Sequence, residues 1–263
     1  MRFADTATCL LFLISCSALA QNVLFDDVNN WHEREIWSCL LDTLDSHGVT
    51  IHYVADEGWA NLSNMDMVWM ECLEMYYSET IKLLLQDFVR NGGNIVLGAA
   101  CGDSRLENDI LMDSGWRTTM EIIPCTLAIA VPETIMYFWQ FPPLTNDVGL
   151  VELAGPTVIT CGENAYPFAF KDSCYSMPVA AISYPFIQEG ICSWVVVVTG
   201  THAWEAPFDT VANNFRFASN ILLTSVGIDG YELVPCAIPQ IPDDFCTRTP
   251  NPFTPNSDGI NDY

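Results

Sequence analysis

The chain has few basic residues. Lys and Arg number 9 against 33 Asp and Glu in 263 residues, which gives a formal net charge of −24. Nucleic acids and anionic membrane surfaces are bound through patches of Lys and Arg. The scarcity of these residues therefore argues against both kinds of partner, and the excess of acid is explained most simply by solubility and by repulsion between copies.

Two other features are missing. Beyond the first residues no uninterrupted apolar run reaches the about eighteen residues of a membrane span, so none is predicted. No Cys-x-x-Cys pair occurs among the 11 cysteines, which disfavours a zinc ribbon or a thioredoxin-like motif. The spacing predicts no metal site and no cofactor. With 50% hydrophobic residues, the chain can nevertheless bury a full core.

Residues 1–20 have the pattern of a signal peptide. A weakly positive start and a short apolar centre precede Ala18-Leu19-Ala20, a small-residue cleavage site. The alternative is a lipoprotein signal in which Cys16 is acylated after cleavage. We expect ordinary cleavage after Ala20, because the small-residue site follows at a natural distance. The chain is therefore predicted to be exported and to be secreted or held at the cell surface.

Nine cysteines remain after Cys9 and Cys16 are removed with the signal peptide. In an oxidising compartment we expect them to form at least two disulfides. Proximity in the sequence suggests Cys161 with Cys174 and Cys236 with Cys246, although spacing alone leaves the connectivity open.

The stretch from Met67 to Gly102 predicts a βαβ unit. Met67 to Met70 is a short apolar run of the length of a buried strand. A helix beginning at Ser78 carries an apolar stripe at helical spacing and ends at Asn91-Gly92-Gly93. A second apolar strand, Asn94 to Gly98, follows at once. Two strands joined by a crossover helix pack right-handed into a parallel sheet.

The rest of the chain extends this sheet. A strand at Val23 to Asp26, a helix and a strand at Val49 to Val54 come first, and many short β-type runs broken by proline fill Cys125 to Ala181. Trp194 to Gly200 is a continuous β-branched run, typical of a strand buried on both faces. We expect Asp209 to begin the last helix, with an apolar face of Val211, Phe215, Ala218 and Leu222.

These patterns predict an α/β fold: a flavodoxin-like, doubly wound, mostly parallel sheet with helices on both faces and a β-rich insertion. Residues 21–230 would form this domain. Residues 231–250 would form a stiff linker, because six of the 15 prolines lie between Pro235 and Pro255.

Several segments resemble the class I glutamine-amidotransferase-like family in the broad sense that includes ThuA-like domains. The resemblance implies a flavodoxin-like sheet and covers about two hundred residues. It is carried by Met67-Val68-Trp69-Met70, Phe88-Val89-Arg90-Asn91-Gly92-Gly93, Ile95-Val96-Leu97-Gly98, Val197-Val198-Thr199-Gly200 and Asn213-Asn214-Phe215.

The C-terminal residues 251–263 resemble a different module, the gliding-motility-associated C-terminal domain of proteins exported by the type IX route. The sequence is Asn251-Pro252-Phe253-Thr254-Pro255-Asn256-Ser257-Asp258-Gly259-Ile260-Asn261-Asp262-Tyr263, with Ser257 where that family usually has Gly. The family module is many tens of residues longer, so we expect a truncated start of this domain. The resemblance implies export machinery as a partner.

Acidic residues follow several of the predicted strands. In an open parallel sheet, ligands bind outside the carboxyl ends of the strands. Asp27, Asp56, Glu71 and Asp103 could therefore line a crevice for a carbohydrate or another small ligand. The alternative is that loops at strand ends are simply polar.

The resemblance also implies a catalytic alternative with a Cys101 nucleophile, a His202 base and a Glu205 orienting group. Amidotransferases have Gly-x-Cys-x-Gly at the nucleophile and His-x-Glu at the base. Here the cysteine comes one residue later and an extra residue separates His202 from Glu205. We therefore expect a non-catalytic binding or scaffold domain. A cysteine-dependent hydrolase or amidotransferase and a structural spacer remain the alternatives.

Export gives the first prediction. Intact-mass analysis of secreted material should show a mature chain beginning at Gln21, because signal peptidase cleaves after small residues. A chain that begins at an acylated Cys16, or a cytoplasmic chain that keeps Met1, would contradict it.

Overall fold

The computed structural model describes residues 21–30, 33–99, 104–113, 115–124, 132–139, 141–205, 209 and 211–233. These residues contain twelve strands: β1 (Asn22–Phe25), β2 (Thr50–Tyr53), β3 (Met67–Glu71), β4 (Asn94–Ala99), β5 (Met120–Ile122), β6 (Pro132–Ile135), β7 (Tyr137–Phe138), β8 (Val151–Ala154), β9 (Ile159–Cys161), β10 (Ala165–Phe170), β11 (Pro178–Ser183) and β12 (Val195–Thr199). The α-helices are α1 (Ser38–Ser46), α2 (Val54–Glu57), α3 (Glu79–Arg90), α4 (Arg105–Leu111) and α5 (Asn214–Val226).

Eight strands form one central sheet in the order β2-β1-β3-β4-β12-β11-β10-β7. The first five are parallel to one another, and β11, β10 and β7 continue the sheet antiparallel. The parallel part has the strand order of flavodoxin-like folds. The predicted α/β sheet with a β-rich insertion is confirmed.

The βαβ unit of β3, α3 and β4 shows why the sequence folds in this way. All five residues of β3 are buried, as its apolar composition requires. The Ser78 hydroxyl caps α3 by accepting the Ile81 N–H at 3.4 Å. Leu85 and Phe88 are buried against the sheet, and Gly92 ends the turn with a φ of +103°.

Helices cover both faces of the sheet. On one face α1 and α5 pack on Trp69 and Val96, together with the small antiparallel pair β6–β8. On the other face α3 and α4 pack on Val68 and Leu97, together with the pair β5–β9. Within the described part of the chain, no helix has the length and apolar character needed to cross a bilayer.

The last helix differs from its prediction. It begins at Asn214, and the predicted apolar-face residue Phe215 is 38% exposed, whereas Phe217 is fully buried. The side-chain oxygen of Asn213 accepts the N–H groups of Gly149 and Leu150, which attaches the start of α5 to the loop before β8. Because α5 is buried on most of its surface, its apolar residues do not define one stripe.

A close packing contact inside the sheet gives the second prediction. Gly98 pairs with Glu71, and a Cβ at position 98 would overlap the Glu71 carboxylate. We expect Gly98→Ala to lower the free energy of unfolding by about 1–3 kcal/mol, the usual cost of overpacking a core. Urea denaturation measures this change.

The matched control is Gly149→Ala, since the nearest atom to a Cβ there lies at 3.9 Å and the backbone is not left-handed. It should change stability little. The double variant Gly98→Ala, Glu71→Ala should lose less stability than the sum of its two single variants, because the second change removes the overlapping group. Strict additivity would show that the overlap is not the cause.

Candidate functional site

The carboxyl edge of the parallel strands brings together the residues after β3 and those after β12. Cys72 follows β3 directly, and the 3₁₀ helix Thr201–Trp204 follows β12 through Gly200. Gly200 has a φ of +78°, and a Cβ there would lie 3.1 Å from the backbone of Ala154. Only glycine fits this left-handed turn without strain, so Gly200 positions the residues that follow it.

His202 and Glu205 form a pair at this edge. The imidazole Nδ1 lies 2.5 Å from the Glu205 carboxylate Oε1, and both side chains are partly buried. Residues i and i+3 face each other across the short helical turn, which explains the contact. The backbone N–H of Asp209 also donates to the Glu205 carbonyl at 3.0 Å, so Asp209 lies next to Glu205.

Cys72 lies beneath this pair. Its side chain is 1% exposed, its φ is +47°, and its Sγ lies 3.8 Å from the Thr201 hydroxyl. Burial, together with the nearby Glu71 and Glu205 carboxylates, raises the pKa of the Cys72 thiol well above its usual range. The protonated thiol is therefore its stable form.

Glu71 is fully buried at the last position of β3. Its Oε1 accepts the indole N–H of Trp69 at 2.6 Å, while Oε2 has no hydrogen bond of ordinary geometry to the described residues. Burial raises the pKa of Glu71 to about 8, and the Glu205 and Glu107 carboxylates add to this rise. The Trp69 hydrogen bond and the nearby Thr201 hydroxyl lower the pKa of Glu71 and oppose this rise.

A cavity of about 330 Å³ opens beside the His202–Glu205 pair. Its polar lining is Glu152, His202, Glu205 and Asn214, and its apolar lining is Pro132, Ala154, Ala203 and Val211. The amide of Asn214 donates to the Ala203 carbonyl at 3.2 Å and accepts the Glu152 N–H at 2.8 Å. The start of α5 therefore joins β8 to the 3₁₀ helix and fixes the shape of the cavity.

The residues predicted to line an acidic crevice lie in different surroundings. Asp27 contacts the Arg34 guanidinium at 2.5 Å and accepts the Ala55 N–H at 2.9 Å. Asp56 is 4.0 Å from the same guanidinium and its side chain is 67% exposed. Glu71 is enclosed in the protein, and Asp103 lies outside the described residues.

The predicted cysteine roles are resolved in part. The disulfide between Cys161 and Cys174 is not formed, because Cys161 carries a free thiol at the end of β9, where it pairs with Met120 of β5. Cys101, Cys236 and Cys246 lie outside the described residues. The predicted contact of His202 with Glu205 is present despite the extra residue between them.

Cys72 is the site residue that sequence reasoning missed. It contacts Thr201, next to His202, only because β3 and β12 flank β4 in the sheet. The available signal was a polar pair, Glu71-Cys72, at the end of a wholly apolar strand. That signal does not reveal which other strand end lies nearby.

Solved structures with a similar fold exist, although no protein-family model and no curated protein sequence matches the chain. The mmIFT52 N-terminal domain aligns with a TM-score of 0.61 and 10% identity over 79% of this chain and 98% of that one. A cytoplasmic protein from Salmonella typhimurium gives 0.53 and 11%, with 79% and 98% covered. A ThuA-like protein from Bacteroides uniformis gives 0.52 and 9%, with 79% and 91% covered. The chain therefore has a ThuA-like, flavodoxin-like α/β fold.

The buried acid gives the third prediction. Between pH about 4.5 and 8, folded Glu71 keeps a proton that the unfolded chain has lost, so the free energy of unfolding falls as the pH rises. The side chain in Glu71→Gln cannot ionise, so the free energy of unfolding of this variant should not fall in this way. Between these pH values, the free energy of unfolding should fall by a few kcal/mol more in the wild type than in Glu71→Gln, since one pKa unit corresponds to about 1.4 kcal/mol.

The measurement is urea denaturation at about pH 5 and pH 9, on either side of the transition, in a buffer that contains a chelator. The ionisable groups that interact electrostatically with Glu71 include Cys72, Glu107 and Glu205, and all three remain in the variant. Glu133→Gln, which changes an acid paired with Lys171, is the control and should keep the wild-type difference. Equal pH dependence in wild type and Glu71→Gln would contradict the assignment.

Proposed function

We propose that the chain is a non-catalytic binding domain of an exported bacterial protein, secreted or held at the cell surface. In this proposal a small polar ligand occupies the cavity beside His202 and Glu205. The observation that carries it is the combination of a half-open cavity of about 330 Å³ with converging hydrogen-bonding groups on apolar walls. Pre-formed ligand sites in proteins have this character and begin at about this size.

The chemistry of the lining selects the class of ligand. Glu152 and Glu205 supply carboxylates and His202 an imidazole, and none of the described lining residues is Lys or Arg. Such a surface accepts hydrogen bonds from hydroxyl and ammonium groups and disfavours anions. A carbohydrate of monosaccharide size that carries an amino group fits both the volume and the charge.

The buried thiol supports the non-catalytic part of the proposal. A cysteine nucleophile acts as the thiolate and needs positive surroundings to form it. Cys72 is the described thiol nearest to His202, and its neighbours Glu71 and Glu205 oppose ionisation. A thiol in these surroundings is a poor nucleophile.

A cysteine hydrolase that uses Cys101 is the second candidate. The observation in its favour is the 2.5 Å contact of His202 with Glu205, which is how a carboxylate orients a general base. Iodoacetamide labelling at neutral pH separates the two candidates. Fast alkylation of Cys101 that is lost in His202→Ala would favour the hydrolase, and slow alkylation in both proteins favours the binding domain.

Export is supported by the signal-peptide pattern of residues 1–20 and by the resemblance of residues 251–263 to the type IX sorting module. Both segments lie outside the described residues. The net charge of −24 favours solubility and disfavours binding to nucleic acid, which is consistent with an exported domain.

Ligand binding is the fourth prediction. Glucosamine, a cationic amino sugar, should bind with a dissociation constant of about 1 mM or below and should raise the melting temperature. Glucose should bind more weakly, because it lacks the ammonium group that the carboxylates attract. Isothermal titration calorimetry in a chelating buffer measures both ligands.

Matched variants locate the site. Glu205→Gln should weaken glucosamine binding by roughly tenfold, the cost of one lost charged hydrogen bond. Glu57→Gln changes another acid that contacts a histidine, His52 at 2.6 Å, and should leave binding unchanged because Glu57 does not line the cavity. Absence of binding by wild type, or equal binding by wild type and Glu205→Gln, would refute this site.

A further inference from the structure

Three side chains with metal-binding chemistry converge at the floor of the cavity. One donor atom each from Cys72, His202 and Glu205 lies within 4.8 Å of the other two. His202 and Glu205 also line the cavity, whereas Cys72 is enclosed beneath them. The group therefore has a buried side and a side that faces the cavity.

The donor set selects the metal. Hard cations such as Ca²⁺ and Mg²⁺ take oxygen ligands, and a thiolate with an imidazole does not suit them. A sulfur, a nitrogen and a carboxylate oxygen are the ligands of Zn²⁺ and of neighbouring first-row metals. Three protein ligands with a free position are typical of zinc sites that bind a water molecule or a small ligand.

The distances require a small adjustment. Around a tetrahedral zinc ion, with bonds of about 2.0–2.3 Å, neighbouring donor atoms lie roughly 3.3–3.6 Å apart. With Nδ1 and Oε1 as the donors, these two atoms, now 2.5 Å apart, would separate by somewhat less than about 1 Å. The widest separation in the group, within 4.8 Å, would close by a similar amount. Changes of this size are within the reach of side-chain rotation.

Two of the three donors are negative once the thiol has lost its proton. Cys72 is 1% exposed and the Glu205 side chain 12% exposed. A thiolate and a carboxylate buried together are costly unless positive charge compensates them. A divalent ion bound by the three donors supplies that charge.

We propose that Cys72, His202 and Glu205 bind one Zn²⁺ ion whose fourth coordination position faces the cavity of about 330 Å³. On binding, the S–H bond of Cys72 breaks, its proton leaves to solvent, and the sulfur forms the bond to zinc. His202 binds as the neutral imidazole and Glu205 as the carboxylate. No electron transfer is involved. Glu71 lies next to the site as an outer carboxylate.

Cobalt substitution tests the proposal in the full chain. The chelator-treated protein is titrated with Co²⁺, and binding through a cysteine gives a thiolate-to-cobalt charge-transfer band in the near ultraviolet. We expect such a band to saturate at one ion per chain and to be displaced by Zn²⁺. Elemental analysis after dialysis against Zn²⁺ should also give one ion per chain.

Matched variants assign the ligands. Cys72→Ser should abolish the charge-transfer band, and Cys161→Ser, which changes a partly buried free thiol outside the group, should keep it. His202→Ala should weaken Co²⁺ binding by at least about tenfold, since loss of an outer partner alone costs that much. His52→Ala is its control, because His52 also contacts a carboxylate but has no place in the group.

If Cys72→Ser fails to fold, the role of Cys72 can be tested in the wild type. Zn²⁺ should protect Cys72 from alkylation under mild denaturation, while Cys39, an exposed thiol, is alkylated at the same rate with and without zinc. Absence of a charge-transfer band in wild type, a band retained in folded Cys72→Ser, or lack of protection would each overturn the site.

The metal proposal rests on the proposed function only for the statement that the fourth position faces a ligand cavity. Cys72 does not line that cavity, so folded Cys72→Ser should lose metal and still bind glucosamine in a chelating buffer. Failure of sugar binding with cobalt binding intact would refute the ligand class alone. Sugar binding without cobalt binding would refute the metal site alone.

Discussion

The carboxyl edge of the sheet depends on the burial of one carboxyl group, that of Glu71. A charged carboxylate placed in the protein interior costs several kcal/mol, and Glu71 reduces this cost by keeping its proton to about pH 8 and by accepting the Trp69 indole N–H. The group fits only because its partner in β4 is Gly98. A slip of one residue would place Leu97 or Ala99 opposite Glu71, so the buried acid also selects the strand register.

Strand β4, which provides Gly98, also positions the rest of the site. The N–H of Cys72 donates to the Gly98 carbonyl at 3.0 Å, and the N–H of Gly200 donates to the Ala99 carbonyl at 2.7 Å. Strand β4 therefore positions the first residue after β3 on one side and the first residue after β12 on the other. This common support, together with the left-handed turn at Gly200, brings Cys72 within 3.8 Å of Thr201. The position of His202 follows from it.

The sequence predicted the strands more reliably than the contacts between their ends. Strands buried on both faces, such as β3 and β12, are continuous apolar runs, and a local pattern is enough to find them. Helix α5 is also buried on most sides, but a helix needs a one-sided stripe to define its orientation, so the prediction placed Phe215 in the core.

The candidate site depends on strand order, which no local pattern encodes. Glu71 was expected to line a ligand crevice because ligands bind outside the carboxyl ends of parallel strands, and the space that Gly98 provides for it becomes visible only in the paired sheet. Asp27 was expected to face a ligand, whereas it contacts Arg34, one of only 9 basic residues. The His202–Glu205 contact could be anticipated, because residues three apart in a helical turn face each other.

The balance of charge decides between the two kinds of chemistry that Cys72 and His202 could support. A protonated imidazole carries one positive charge, and the 2.5 Å contact directs His202 Nδ1 to the Glu205 carboxylate. Little of that charge would remain to stabilise a Cys72 thiolate, which Glu71 also opposes. A divalent cation compensates a thiolate and a carboxylate together, and a bound metal deprotonates a thiol that its surroundings otherwise keep neutral. The surroundings that make Cys72 a poor nucleophile therefore make it a suitable metal ligand.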